Sequence, residues 1–299
     1  MAEAGRLMWR HQLLALLLNE AGARRGDDPE YVHDMRVATR RARAVARLFG
    51  PFFRRKALRL HLTNLRRTAR ALGAVRDGDV ALLKLRKYSR TRPDVEQQGL
   101  AEIRAVWRVE RRQAYRLLLE WLDSPDYRSF VAGFAEFCKT AGLGARTHDS
   151  GSEGAPAPCL VGHVMPSAIL NRFEQVRAYE RLFESSQPLS VSALHALRID
   201  CKALRYSLEP VEHLLGEEGS EIVQQMKRLQ DLLGDLNDAV VADFRLAELA
   251  DAVEPTALAA YRAEQQSIVA ELVSATPDAW RGFVAADNRR LLAGAIARL

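Results

Sequence analysis

The sequence predicts an all-α chain built from a duplicated helical unit, and three observations carry that expectation. Apolar residues recur at three- and four-residue steps through most of the 299 residues, and no stretch longer than a few residues alternates as a half-buried strand does. A segment rich in Gly, Pro and Ser, GARTHDSGSEGAPAPCLVGHVMP at 144–166, interrupts that periodicity near the middle. On either side of it the same residue pattern appears once. The expected organisation is a first helical repeat at 1–143, a linker at 144–166 and a second repeat at 167–299.

In chain order, helices are expected over 4–20, 29–49, 54–73, 77–89, 95–122 and 126–142, then over 163–184, 190–214, 217–234, 237–251, 254–274 and 277–297. The first holds the apolar run Leu13 to Leu18, which stops at Asn19 and Glu20. A bilayer span needs roughly 20 apolar residues, so no membrane segment is expected. With acidic Glu3 ahead of so brief a run, the N-terminus also makes a poor secretory leader. Asp28-Pro29 places Pro at a first helical position, and Gly50-Pro51 closes the same helix. Gly73 and Gly234 are read as helix ends, and Asp77 and Asp238 as caps of the helices that follow. Ser124-Pro125 and Thr276-Pro277 each read as a helix opening.

The net charge of +6 is unevenly spread. Residues 1–130 carry 28 Lys and Arg against 15 Asp and Glu, a balance of +13, whereas the remainder carries 16 against 23. A basic half of that size points to a polyanionic partner. Of the 44 cationic residues 38 are Arg, whose planar fork suits phosphate oxygens, although codon bias produces the same ratio. Cys138, Cys159 and Cys201 form no CxxC pair, which argues against a disulfide framework and for a reducing, cytoplasmic setting.

The internal echo is the most informative feature. His33-Asp34-Met35-Arg36-Val37-Ala38-Thr39-Arg40-Arg41-Ala42-Arg43 returns as His195-Ala196-Leu197-Arg198-Ile199-Asp200-Cys201-Lys202-Ala203-Leu204-Arg205, offset by 162. Leu72-Gly73-Ala74-Val75-Arg76-Asp77 returns as Leu233-Gly234-Asp235-Leu236-Asn237-Asp238, and Ser124-Pro125-Asp126 as Thr276-Pro277-Asp278. Ordered echoes at nearly constant offset indicate duplication.

On a helix at about 100° per residue, His33, Arg36, Arg40, Arg43 and Arg47 fall within an arc of about 80°. The rest of that helix is mostly apolar or small, so a narrow cationic stripe runs along a segment otherwise fit for burial. Side-by-side cations are costly to desolvate unless anions neutralise them. Two sources of anion stay open: a bound ligand, or carboxylates of neighbouring helices. The second copy offers His195, Arg198, Lys202 and Arg205, with Glu209 where the first has Arg47. Arg59, Arg66 and Arg70 border the apolar line of the next helix, and Lys227 is the second half's counterpart. A further basic stretch, Arg104, Arg108, Arg111 and Arg112, reads as a solvated face.

No phosphate loop, dinucleotide fingerprint or nucleophile elbow occurs, and His61 and His213 lack metal-ligand spacing. No cofactor or metal is expected, and the chain reads as a binding protein and not an enzyme. A nucleic-acid-binding protein is the alternative, though no base-reading motif is present. A phosphohydrolase using His33 or His195 is a third, without a carboxylate constellation to assist it.

The two HxxRxxx[R/K]xxR motifs, each followed by a leucine-glycine step ending in Asp, resemble the CHAD family, the conserved histidine α-helical domain. The resemblance runs from about Leu7 to Leu299. It implies two helical bundles related by pseudo-twofold symmetry around a central basic channel, and binding of inorganic polyphosphate at polyphosphate granules. The residues expected to bind it are His33, Arg36, Arg40, Arg43, Arg47, Arg66, Arg70, His195, Arg198, Lys202, Arg205 and Lys227. Asp231 and Glu209 dilute the second copy, so the first is expected to hold more phosphates.

Overall fold

The computed structural model describes residues 1–146, 158–185 and 189–299. Among them no strand occurs, and the single extended pairing is an isolated bridge between Phe53 and Ala145. The chain is all-α, as its periodicity requires, and divides into two compact units, residues 1–157 and 158–299. The first contains α1 (Ala2–Arg25), α2 (Pro29–Phe49), α3 (Arg55–Ser89), α4 (Asp94–Asp123) and α5 (Pro125–Lys139). The second contains α6 (Val161–Arg177), α7 (Glu180–Phe183), α8 (Val191–Leu208), α9 (Gly216–Ala247), α10 (Pro255–Val284) and α11 (Ala286–Ile296).

Several helix starts follow from local chemistry. The Asp28 carboxylate accepts from the Glu30 backbone N–H at 2.9 Å, and Pro29 follows it in the first turn of α2. Ser124 caps α5 through the Tyr127 N–H at 3.1 Å. The Glu254 carboxylate accepts from the N–H groups of Thr256 and Ala257 at 2.7 Å each and opens α10 ahead of Pro255.

Other boundaries differ from expectation, because packing outweighs weak local stop signals. α3 runs unbroken through Gly73 and Asp77, and α9 through Gly234 and Asp238, so neither glycine ends a helix and neither aspartate caps one. A mid-helix Gly costs about 1 kcal/mol against Ala. Burial of Leu65, Leu72 and Val75 on one face of α3, and of Leu229, Leu233 and Leu236 on α9, outweighs that cost. Likewise α10 continues through Thr276-Pro277, where the Thr276 hydroxyl donates to the Leu272 carbonyl at 2.7 Å in the turn the proline weakens. α6 begins at Val161, inside the expected linker, and residues 147–157 of that segment lie outside the described part.

In the first unit, α1 fixes how α2 is rotated. The two run antiparallel and approach closely at glycines: a Cβ on Gly5 would sit 2.7 Å from Phe49 Cβ, and one on Gly22 would fall 2.3 Å from the Tyr31 ring. Between them the buried Trp9 indole donates to the Ala42 carbonyl at 2.9 Å. Its ring packs on Phe53 and Phe137 with centroids at 5.2 and 5.9 Å. Val32, Met35, Ala38, Ala42, Val45 and Phe49 are thereby buried. In the second unit Trp280 donates to the Val176 carbonyl at 2.9 Å and packs on Phe183 at 4.8 Å.

Substituting glycines tests this account from both sides. Gly5→Ala collides with a fully buried Phe49 and is expected to lower the unfolding free energy by about 1–3 kcal/mol in urea titrations. At Gly234 a Cβ meets open space, so Gly234→Ala is expected to raise it by about 0.5–1 kcal/mol. A loss of stability at Gly234 would mean that α9 does not run straight through it.

Candidate anion-binding site

With one face of α2 committed to α1, the stripe is left on the side next to α3. These helices are antiparallel: a Cβ on Gly50 would lie 3.9 Å from Leu58, and one on Gly73 would lie 3.9 Å from Arg36 Nε. That register puts Arg66 across from Arg43 and Arg70 across from Arg40. His33, Arg36 and Arg40 are half-buried, whereas Arg43, Arg47, Arg66 and Arg70 are exposed. A graded cationic surface results, half-buried toward the start of α2 and open toward its end.

The half-buried end is also where carboxylates enter. Arg36 stands 3.7 Å from Asp77, and Arg76 pairs with Glu30 at 3.2 Å. Asp77, expected as a helix cap, thus faces the stripe from the middle of α3. His33 Nδ1 is buried without a hydrogen-bond partner. Burial first, and then the positive charges of Arg76 and Arg40, push the His33 imidazole below its ordinary range, with Glu30 and Asp34 pulling the other way.

In the second unit the matching positions are electrostatically milder. Exposed His195 has its Nδ1 2.9 Å from the Asn237 side-chain oxygen, and Asn237 stands where the sequence echo has Arg76. Arg198 and Lys202 are half-buried and Lys227 is exposed. Arg205 pairs with Glu209 at 2.9 Å and donates to Gln230 Oε1 at 2.9 Å. Gln230 in turn donates to the Cys201 carbonyl at 2.6 Å. Glu209, which the sequence echo pairs with Arg47, is the carboxylate that engages this arginine.

A cavity of about 800 Å³, not foreseen from the sequence, lies where α2 ends and α3 begins. Arg55, Lys56, Arg59, Arg66 and Arg146 line it together with Ala46 and Gly50, and among the described residues no carboxylate does. Arg55 and Lys56 were visible as a basic cluster after Phe53. Arg146 was not, because it arrives from 90 residues further on through the Phe53–Ala145 bridge. Its backbone N–H donates to the Phe52 carbonyl at 3.0 Å, and its side chain to the Phe53 carbonyl at 3.2 Å. Elsewhere, Arg111 of the third basic stretch pairs with Asp79 at 2.9 Å and so ties α4 to α3. His61 packs against Phe134 and Phe137 at 5.2 and 5.3 Å as part of the aromatic core. Among the described residues no group of His, Cys, Asp and Glu is placed to hold a metal ion, and no helix is long and apolar enough to cross a membrane.

The family model of the CHAD domain matches residues 7–247, from α1 to the last residue of α9. The chain belongs to the CHAD family. Among solved structures, the CHAD domain from the plant Ricinus communis is 26% identical with a TM-score of 0.66, over 96% of this chain and 92% of that one. PptA from Streptomyces chartreusis shares the fold at a TM-score of 0.70 and 15% identity, over 94% of this chain and 99% of that one. A search of the curated proteins gives no match. His33 and His195 sit in unlike settings, the first under the positive charge of Arg76 and the second beside the Asn237 amide.

That contrast is measurable. In an NMR titration the His33 midpoint is expected below the ordinary histidine range, and Arg76→Gln is expected to raise it. A midpoint unmoved by that substitution would remove Arg76 from the surroundings of His33.

Proposed function

We propose that this CHAD chain binds inorganic polyphosphate without cleaving it, in the cytoplasm and at polyphosphate granules. The observation that carries the proposal is the row His33, Arg36, Arg40, Arg43 and Arg47, held on a helix whose opposite face is buried, with exposed Arg66 and Arg70 on the adjoining helix α3. Steps of three and four residues advance about 5 Å along a helix, which suits a linear polymer charged at every phosphorus. Guanidinium forks bind such oxygens bidentately, and arginine neither titrates near neutrality nor attacks phosphorus, so the row suits holding better than chemistry. His195, Arg198, Lys202, Arg205 and Lys227 give the second unit a weaker version, so the first unit holds more of the polymer.

Nucleic acid is the competing polyanion. Single-stranded RNA gains much of its affinity from bases stacking on aromatic rings. All four tryptophans, Trp9, Trp107, Trp121 and Trp280, are at most 4% exposed, which favours a ligand without bases.

Charge reversal tests this directly. Two lost charge-assisted contacts of about 1.5–3 kcal/mol each predict that Arg36→Glu/Arg40→Glu weakens long-chain polyphosphate by about a hundredfold or more. Arg43→Glu/Arg47→Glu, at exposed positions, is expected to act in the same direction with helical circular dichroism unchanged. Affinity in the wild type should fall steeply with salt, and less steeply in either variant. Unchanged affinity in both variants, or tighter binding of single-stranded RNA at equal ionic strength, would overturn the proposal.

A further inference from the structure

The cavity at the α2–α3 turn differs from the stripe in shape and in charge. The stripe is a line of cations along a groove. The cavity gathers Arg55, Lys56, Arg59, Arg66 and Arg146 around about 800 Å³, with no carboxylate among the described residues that line it. The other end of the stripe, by contrast, has Asp77 beside Arg36 and Glu30 beside Arg76. The two features are continuous: Ala46 and Gly50 of the cavity wall bracket Arg47, the last stripe residue, and Arg66 belongs to both the groove and the cavity.

Arg146 makes the cavity a built feature and not a chance crowding of surface arginines. The bridge of Ala145 to Phe53 and the bond from the Arg54 N–H to the Gly144 carbonyl at 2.8 Å strap the chain beyond α5 onto the turn before α3. Gly144 adopts φ 74°, a left-handed conformation that suits glycine, and a Cβ there would also lie 2.7 Å from Ala57. A distant cation is thus delivered to a place already occupied by four others. Holding like charges together costs free energy, and a multiply charged anion recovers it.

The polyphosphate chain has one part that carries more charge than the rest. Interior phosphates bear a single negative charge each. A terminal phosphate has an additional ionisable oxygen, which like that of a phosphomonoester titrates at a pKa of about 6 and is mostly ionised at neutral pH. We propose, resting on the polyphosphate reading above, that this cavity seats the end group of the chain. The polymer then enters the groove from a fixed terminus, passes between Arg66 and Arg43, and runs toward Arg36 and His33. The ligand class of the cavity on its own is a short linear oligophosphate.

The test uses the full chain and two probes, with titration calorimetry at fixed ionic strength. The first probe is tripolyphosphate, which is mostly end groups. The second is long-chain polyphosphate with free ends or with both ends blocked as phosphoramidates. Lys56→Glu/Arg59→Glu alters two exposed side chains and leaves the Arg146 strap in place. It is expected to weaken tripolyphosphate about tenfold or more. Blocking the ends is expected to weaken long chains for the wild type and to make no difference to the variant. Unchanged tripolyphosphate affinity in the variant overturns the cavity as a site. Equal wild-type affinity for free and blocked ends overturns its assignment to a chain end. Should long chains fail to bind the wild type at all, the polyphosphate reading falls, and the tripolyphosphate comparison still decides whether the cavity binds oligophosphate.

Discussion

A row of like charges on one helix is a mechanical problem before it is a binding site. Cations one turn apart repel by about 0.2–0.5 kcal/mol per pair, and a helix free to roll or fray would spread them. α2 cannot roll, because Gly5 and Gly22 let α1 lie close along its length and Trp9 hydrogen-bonds to the Ala42 carbonyl between them. The free energy that keeps the cations aligned therefore comes from the opposite face, where Met35 and Phe49 are fully buried. Packing and cationic charge are divided between two sides of a single element.

The same division is run at two electrostatic settings. In the first unit the imidazole of His33 is hemmed by burial and by Arg76, and the end of the stripe opens into a cavity of five cations. In the second, Asn237 stands at the position that the sequence echo pairs with Arg76, and Glu209, at the one paired with Arg47, engages Arg205. Each difference leaves the second unit less positive at that position. The uneven balance along the sequence, +13 over residues 1–130 and negative thereafter, is thus expressed in individual pairings and not only in a diffuse field.

Much of this was legible in the sequence where the governing chemistry is local. The starts of α2 and α5 follow from a carboxylate or hydroxyl reaching the second or third backbone N–H, with proline at the first helical position. Gly73, Gly234 and Thr276-Pro277 misled because their local cost is small beside the apolar faces of α3, α9 and α10, which only tertiary packing reveals. The stripe itself was readable, since helical periodicity alone aligns it. Asp77 was not placed correctly, because its position across from Arg36 depends on α3 continuing past Gly73. Arg146 was out of reach altogether: nothing near it in sequence reports the bridge that carries it to Arg55.

Burial along α2 also sets what each cation contributes to holding a polyanion. Interactions between charges strengthen as solvent is excluded, so in the proposed complex half-buried Arg36 and Arg40 would act on a phosphate at close range through a lower effective dielectric. For Arg36 the cost of desolvation is met in part by folding, with Asp77 at 3.7 Å. Exposed Arg43, Arg47, Arg66 and Arg70 act through water and are screened within about 8–10 Å at physiological salt. Their larger effect is on encounter, since a dense field at a groove mouth raises the rate at which a charged polymer arrives. For the proposed polymer, the exposed end of α2 would act first by long-range attraction and the half-buried end later by close contact, an order that suits a flexible chain whose entropy is lost segment by segment.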